Sequence, residues 1–441
     1  MREGSLEAPT RHPLDWKNPD FFNETKLFDE LERTFDICHG CRRCFNLCNA
    51  FPLLFDVIDE SETMELDSVD KKVYWDVVDN CYLCDMCFMS KCPYVPPHEW
   101  NLDFPHLMLR AKAVKFKKDN VKQRDKLITS TDAIGKLASI PIIVNAVNAA
   151  NSNKMVRGWI DKALAIHPDA IIPAYHSNTA RKQLANHISI SSEPTACAET
   201  TGKVAIFTTC YGNYNRPDLV NDLVSVYEHN DMTVDICKQE KCCGMPKLEL
   251  GDLEAVEALK NSNIPELVRL IDAGWDIVAP VPSCVLMFKQ ELPLMFPGDA
   301  DVAKVRDAMF DPFEYLMLRH KGGLLNTDFK EEIGDVSYQV ACHLRVQNIG
   351  LKTKELLELI PNTSVKAHER CSGHDGTYAL KSEYHDISKK IARPVMNRVD
   401  KDPALIFSSD CPMAADHIAS GLKNEKSVKN PMSLLKQAYG L

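Results

Sequence analysis

The chain has 441 residues, 45% apolar and 26% charged, with a net charge of -10 and seventeen cysteines. That length supports two or three domains with a sizeable core, so the cysteines are not needed as the disulfide staples of a small secreted fold. The acidic balance argues against general nucleic-acid binding, and the longest weakly charged apolar run, 137–153, is interrupted by Pro141, Asn145, Asn148 and Asn151, which excludes a simple membrane span.

The opening Met1-Arg2-Glu3-Gly4 carries no apolar signal region, so a reducing cytoplasm is expected, with membrane attachment, if any, through a partner. Residues 1–20 read as a polar lead-in broken by Pro9, Pro13 and Pro19. Phe22, Leu27, Leu31 and Phe35 then recur at helical spacing and predict a helix over 21–37.

Two cysteine runs follow: Cys38, Cys41, Cys44 and Cys48, then Cys81, Cys84, Cys87 and Cys92. Thiolates three residues apart on a tight turn reach neighbouring corners of an iron–sulfur cubane, and the last cysteine of each run crosses to the other cluster. The expected ligands of one [4Fe-4S] cluster are therefore Cys38, Cys41, Cys44 and Cys92, and of the other Cys81, Cys84, Cys87 and Cys48. Asn49 stands where a proline usually follows the fourth cysteine, and the second run has one extra residue before Cys92. Two zinc ions are the plain alternative, although zinc sites draw on separated cysteine pairs rather than three in series. Residues 51–80, helical in composition, suit an α-helical ferredoxin domain.

Arg110 to Lys126 holds eight basic residues against Asp119 and Asp125; with the half-apolar stretch 133–166 it suits either a membrane or acidic-partner surface, or a solvated helical face. Residues 173–200 lack periodicity and read as a linker.

From Lys203 one α/β unit is written twice, with corresponding cysteines about 130 residues apart. The first copy is strand 204–207, Cys210, helix 217–229, strand 233–236, Cys242-Cys243-Gly244, a helix through Leu253, Val256, Leu259 and Ile264, strand 276–279 and Cys284. The second is strand 338–341, Cys342, helix 352–359, strand 364–367, Cys371, helix 381–391, strand 404–407 and Cys411. Alternating strands and helices predict parallel sheets, with every cysteine just beyond a strand's C-terminal end, the edge where open α/β sheets bind ligands.

Thr209 to Asn215, Lys241 to Pro246 and Cys371 to Tyr378 resemble the motifs of the cysteine-rich CCG domain found in the B subunits of heterodisulfide reductases and their relatives, most of all the C subunits of anaerobic glycerol-3-phosphate dehydrogenases. The resemblance implies a fold of α/β class, with a helical ferredoxin domain (1–99), a helical connector and linker (100–200) and two CCG repeats (203–325 and 326–441). It also implies a noncubane [4Fe-4S] cluster, or zinc, on C…CC…CxxC in each repeat. The first repeat keeps Cys210, Cys242, Cys243 and Cys284 but has Met287 for the last cysteine. The second keeps Cys342, Cys371 and Cys411, with Ser372 and Ala414 at the other two positions. His374 or His343 could complete that set, or the three cysteines could be plain buried thiols. Cys197 and Cys237 fall outside the pattern and read as ordinary thiols.

The expected function is electron relay between a flavoprotein partner and a quinone or other acceptor. The alternatives are a stand-alone heterodisulfide or peroxide reductase, and a non-enzymatic iron–sulfur sensor or scaffold. No G-x-G-x-x-G or P-loop is visible, and Gly322-Gly323 is too little for a nucleotide site, so electrons are expected from another chain. His98 and His106 read as structural.

Overall fold

The computed structural model describes residues 7–189 and 194–441. Its first part is helical. Asn23 caps helix α1 (Glu24–Cys41) by accepting from Lys26 N–H. Helices α2 (Ala50–Asp59), α3 (Tyr74–Asn80), α4 (Met86–Ser90) and α5 (Phe104–Lys117) follow, with 3-10 turns over Leu66–Ser68 and Lys71–Val73. Leu27, Leu31 and Phe35 of α1 meet Phe51 and Phe55 of α2, Tyr74 of α3 and Met108 of α5 in one core. The expected helix 21–37 starts three residues later, after a 3-10 turn over Pro19–Phe22, and runs on through the first two cysteines.

The basic stretch is two helices, α5 and α6 (Gln123–Ile128). Its charges are largely taken up within the chain: Lys115 binds Asp79, Lys118 binds Glu24, and Lys122 and Arg124 bind Glu383. The solvated-face reading of that run is nearer, with the cations partnered inside the molecule. Helices α7 (Thr131–Ala138), α8 (Pro141–Ser152) and α9 (Lys154–Leu164) come next, and then a mostly irregular stretch with a short helix over Ala180–Gln183.

The rest is mixed α/β with two parallel sheets. Strands β1 (Lys203–Ile206), β2 (Thr233–Ile236), β3 (Asp276–Val278) and β4 (Met309–Phe310) are ordered β2-β1-β3-β4. Strands β5 (Asp335–Gln339), β6 (Ser364–His368), β7 (Ile406–Ser409) and β8 (Ser427–Val428) repeat that order as β6-β5-β7-β8. Every pairing is parallel. The two-residue edge strands β4 and β8 are too short to carry a period, and sequence reading missed both. It also set β5 three residues late, because the alternation of Asp335, Val336 and Ser337 is hidden by polar residues.

Val204, Ile206 and Val220 of the first unit share a core with Val336, Tyr338 and Leu356 of the second, which holds the sheets together. The lead-in segment seals the helical part to the first unit. Leu14 N–H donates to Leu294 O, and Trp16 Nε1 to Met295 O. Arg11, buried, sits among Asp85, Asp103 and Glu291. Removing one partner of a buried ionic group leaves the others charged and desolvated. Arg11→Ala is therefore expected to lower stability by ~3–5 kcal/mol, read as a shift of the urea midpoint at equal metal content. A change below ~1 kcal/mol would mean that the cluster is screened like a surface pair.

Candidate metal centre

Cys38 and Cys41 lie in the last turn of α1, one face of it, not on the tight turn expected. Arg42, at φ 54, ends the helix with its N–H on Cys38 O and turns the chain back toward Cys44. Cys92 arrives from beyond α4. Cys92, Cys44 and Cys41 are the thiols that act on Cys38, so the four expected together are neighbours. In the second run Cys81 ends α3, and left-handed Leu83 and Asp85, at φ 56 and 59, bracket Cys84. Cys87 on α4 has Cys44, Cys84, Cys81 and Cys48 around it. The two sets thus lie side by side, with Cys44 facing Cys87.

Burial pushes these thiols up: Cys44 to about 12 and Cys81 to about 11, with Cys38, Cys84 and Cys87 well above the ordinary range. A thiol in such a place ionises only beside a cation or hydrogen-bond donors. Asn49, the residue in place of proline, has a job: its Nδ2 donates to Asn80 Oδ1 (2.8 Å), which also accepts from Tyr378 OH (2.9 Å).

In the α/β part each cysteine lies beyond the C-terminal end of a strand. Cys210 opens a short helix after β1, Cys242 and Cys243 follow β2, and Cys284 sits in a helical turn after β3. The Cys242 thiol lies between those of Cys210 and Cys243, and Cys243 neighbours Cys284. Hydrogen bonding from its neighbours lowers Cys242, whereas Cys210 and Cys243 are raised. Gly244, at φ 105, makes the turn behind the pair, and a Cβ there would stand 3.4 Å from Met287 Cε. The methionine that replaces the fifth cysteine is thus fully buried packing against the turn.

After β5, β6 and β7 come Cys342, Cys371 and Cys411. Cys342 and Cys371 are neighbours, and Tyr82 OH lies 3.3 Å from Cys371 Sγ. The hydrogen bond from Cys342, with help from Tyr82, brings Cys371 down to about 7, while burial lifts Cys411 to about 12. Cys371 also acts on Cys84 of the second run and on Cys48, the last cysteine of the first.

One apolar cavity of about 230 Å3 joins the two units. Cys210, Cys243 and Cys284 line one side, and Cys342 and Cys411 the other. Ser372, Ala414, His343 and His374 are also in its wall. Burial pushes both histidines down to about 4, and His374 Nε2 is buried with no hydrogen-bond partner. Cys197, bonded to Thr200 Oγ1, and fully buried Cys237 stand away from the cavity wall.

Sequence reading missed several residues that shape this site. Asp132 Oδ2 accepts from Cys242 N–H (2.6 Å), and Tyr82 joins the second cysteine run to Cys371. Glu249 and Asp375 also line the cavity. Asp132 is 110 residues from Cys242, and nothing in the local pattern announces such a contact.

The donor set is almost wholly thiol, which suits iron–sulfur clusters. Among the described residues no three Cys, His, Asp or Glu side chains close on one point as ligands of a single ion do. Cys38, Cys41, Cys44 and Cys92 line one small cavity, whereas Cys210, Cys242, Cys243 and Cys284 form a chain of thiol contacts. Bound there, such a cluster would supply one-electron transfer, while the protein sets potential through burial and N–H donors to sulfur.

Comparison with known proteins agrees with this chemistry. The chain is 26% identical over 336 residues to the C subunit of the anaerobic glycerol-3-phosphate dehydrogenase of Escherichia coli (strain K12), covering 75% of this chain and 81% of that protein. It is 25% identical over 246 residues to the B subunit of the CoM/CoB fumarate reductase of Methanothermobacter marburgensis, covering 54% and 46%. It is 24% identical over 311 residues to an uncharacterized iron-sulfur protein of Methanococcus maripaludis, covering 67% and 58%. Residues 204–289, the segment that carries Cys210, Cys242, Cys243 and Cys284, are a cysteine-rich CCG domain.

Proposed function

We propose that this chain is the iron–sulfur electron-transfer subunit of a larger oxidoreductase, passing electrons from a flavoprotein partner to a quinone. In this reading residues 1–99 form a ferredoxin unit with two [4Fe-4S] clusters, on Cys38, Cys41, Cys44 and Cys92 and on Cys81, Cys84, Cys87 and Cys48. Residues 100–200 connect it to CCG repeats 203–325 and 326–441. Cys210, Cys242, Cys243 and Cys284 hold a further cluster, and Cys342, Cys371 and Cys411 form an incomplete fourth site.

The observation that carries the reading is the continuity of the thiols. Cys44 faces Cys87, Cys48 and Cys84 face Cys371, and Cys342 faces the cavity that Cys210, Cys243 and Cys284 share. A path with no long gap is what single-electron hopping needs. Four thiolates complete a cluster in the first repeat, while the second has three, so the two ends of the cavity differ. That difference suits a site where an acceptor meets the chain from one side.

Anaerobic reassembly with iron and sulfide is expected to give about eight irons per chain from the ferredoxin unit alone, and more with the first repeat loaded. Cys48→Ala should remove about four irons and one set of cluster EPR signals, leaving the other set. A wild-type chain that takes up fewer than about eight irons contradicts the proposal.

The proposal also includes contact with an anionic bilayer through α7–α9. Leu137, Ile140, Ile142, Met155 and Trp159 are exposed there, Ile142 to 87% and Trp159 to 64%. Lys136, Lys154 and Lys162 are exposed among them, a basic apolar face on an acidic chain. Among the described residues no single helix is long and apolar enough to cross a membrane, and α7 and α8 meet at 107°. Such a face lies in the interface plane. Ile128 and Thr131, at its start, also line the redox cavity, so an apolar acceptor dissolved in lipid would have a short way in. Flotation with phosphatidylglycerol vesicles should recover the chain, and Ile142→Glu with Trp159→Glu should weaken binding at least ~10-fold. Equal recovery of the double variant would remove this part of the proposal.

A further inference from the structure

Two cavities meet at one side chain. The apolar redox cavity has a polar neighbour of about 330 Å3, walled by Lys112, Lys115, Asp79, Asp125 and Lys381. Glu249 stands in the wall of both. It comes at the end of the helix Met245–Leu250 that the Cys242-Cys243-Gly244 turn launches, so the motif that sets the thiols also sets this carboxyl.

The seat of the carboxyl is built. Gly376, at φ +49, lies so close that a Cβ there would fall 2.1 Å from Glu249 Oε2. A side chain at 376 would expel the carboxyl from its place between the cavities. Lys112 on α5 and Lys381 ahead of the helix Ser382–Lys401 attract it, while Cys242 opposes its charge. Asp375, on the loop after β6, faces it from the redox side.

We propose that Glu249 is the proton inlet of the redox cavity, taking protons from water in the polar cavity and delivering them to a quinone-class acceptor. This rests on the relay reading above. The balance is simple. A quinone gains two electrons, which the reduced flavoprotein partner gives up, and two protons. Each proton leaves the Glu249 carboxyl for a quinone oxygen, and the carboxylate regains one from water on the polar side. The apolar part of the redox cavity's wall, with Ile128, Val281 and Met413, offers no such supply, since apolar side chains carry no exchangeable proton.

Burial is the main influence on this carboxyl and the two lysines partly offset it, which leaves it titrating at about 7. A group poised there both holds and releases protons near neutrality. Below that point the carboxyl is protonated and can donate; as pH rises through it the donor fraction falls, and so should the rate.

The test uses the cluster-loaded chain with reduced viologen as electron donor and a short-chain quinone as acceptor. Glu249→Gln is expected to take up electrons from viologen within ~2-fold of wild type, because that step moves no proton through the inlet. Quinone reduction should fall at least ~10-fold and lose its decline near neutral pH, with partial rescue by added small weak acids. Gly376→Ala should act in the same direction with the carboxyl retained. Infrared difference spectra on reduction give a readout that needs no acceptor: a carboxyl band should change in the wild type and vanish in Glu249→Gln. An unchanged pH profile together with a carboxyl band that survives the substitution would overturn the proposal. A wild type that loads clusters but ignores quinone would instead sink the relay reading, while the infrared band still decides the inlet.

Discussion

A thiolate buried in an apolar interior cannot keep its charge without a cation or hydrogen-bond donors beside it. That constraint governs most of this molecule. The thiols of the helical part and of both sheet edges are buried or half-buried; burial drives Cys38, Cys44 and Cys87 toward the neutral form, and hydrogen bonding to Cys242 with burial does the same to Cys210 and Cys243. Many of them have other thiols as neighbours, while Tyr82 bonds Cys371 and Thr131 lies against Cys210 and Cys242. A bound iron–sulfur cluster would supply positive charge there, and its binding would contribute directly to folding free energy.

The fold answers that constraint with repetition. Two sheets of the same strand order each present three cysteine loops at their C-terminal edge, and the helical part brings its second cysteine run against one of them. Because the sheets share a core, their cysteine edges face a common cavity instead of opposite solvents. The positions where the resemblance implies a last cysteine hold residues that fill space: Met287 packs on the Gly244 turn, and Ala414 is buried. The two units thus share a strand order while their cysteine edges differ.

Much of this was legible in the residues. The cysteine spacing, the alternation of apolar runs and helices, and the offset between copies all report local or periodic structure. Strand β2 falls on 233–236 as read; Cys38 has Cys92, Cys44 and Cys41 as its thiol neighbours, and Cys87 has Cys44 of the other expected set besides Cys84, Cys81 and Cys48. What was not legible is long-range or too short to have a period. Strands β4 and β8 have two residues each. The contacts of Asp132 with Cys242, of Tyr82 with Cys371, and of Arg11 with Glu291 join positions with no common pattern. The basic stretch admits two readings in sequence for the same reason: its counter-charges, Asp79 and Glu383 among them, are distant in the chain.

The seal made by the lead-in segment bears on how the molecule is made. Trp16 waits for a carbonyl 279 residues further along, and Arg11 for Glu291. Synthesis is vectorial, and the helical part can pack its own core long before those partners leave the ribosome. Its cysteine loops thus stay open on one side until residue 295 has been made, which gives assembly factors a period of access that closes only when the first α/β unit docks.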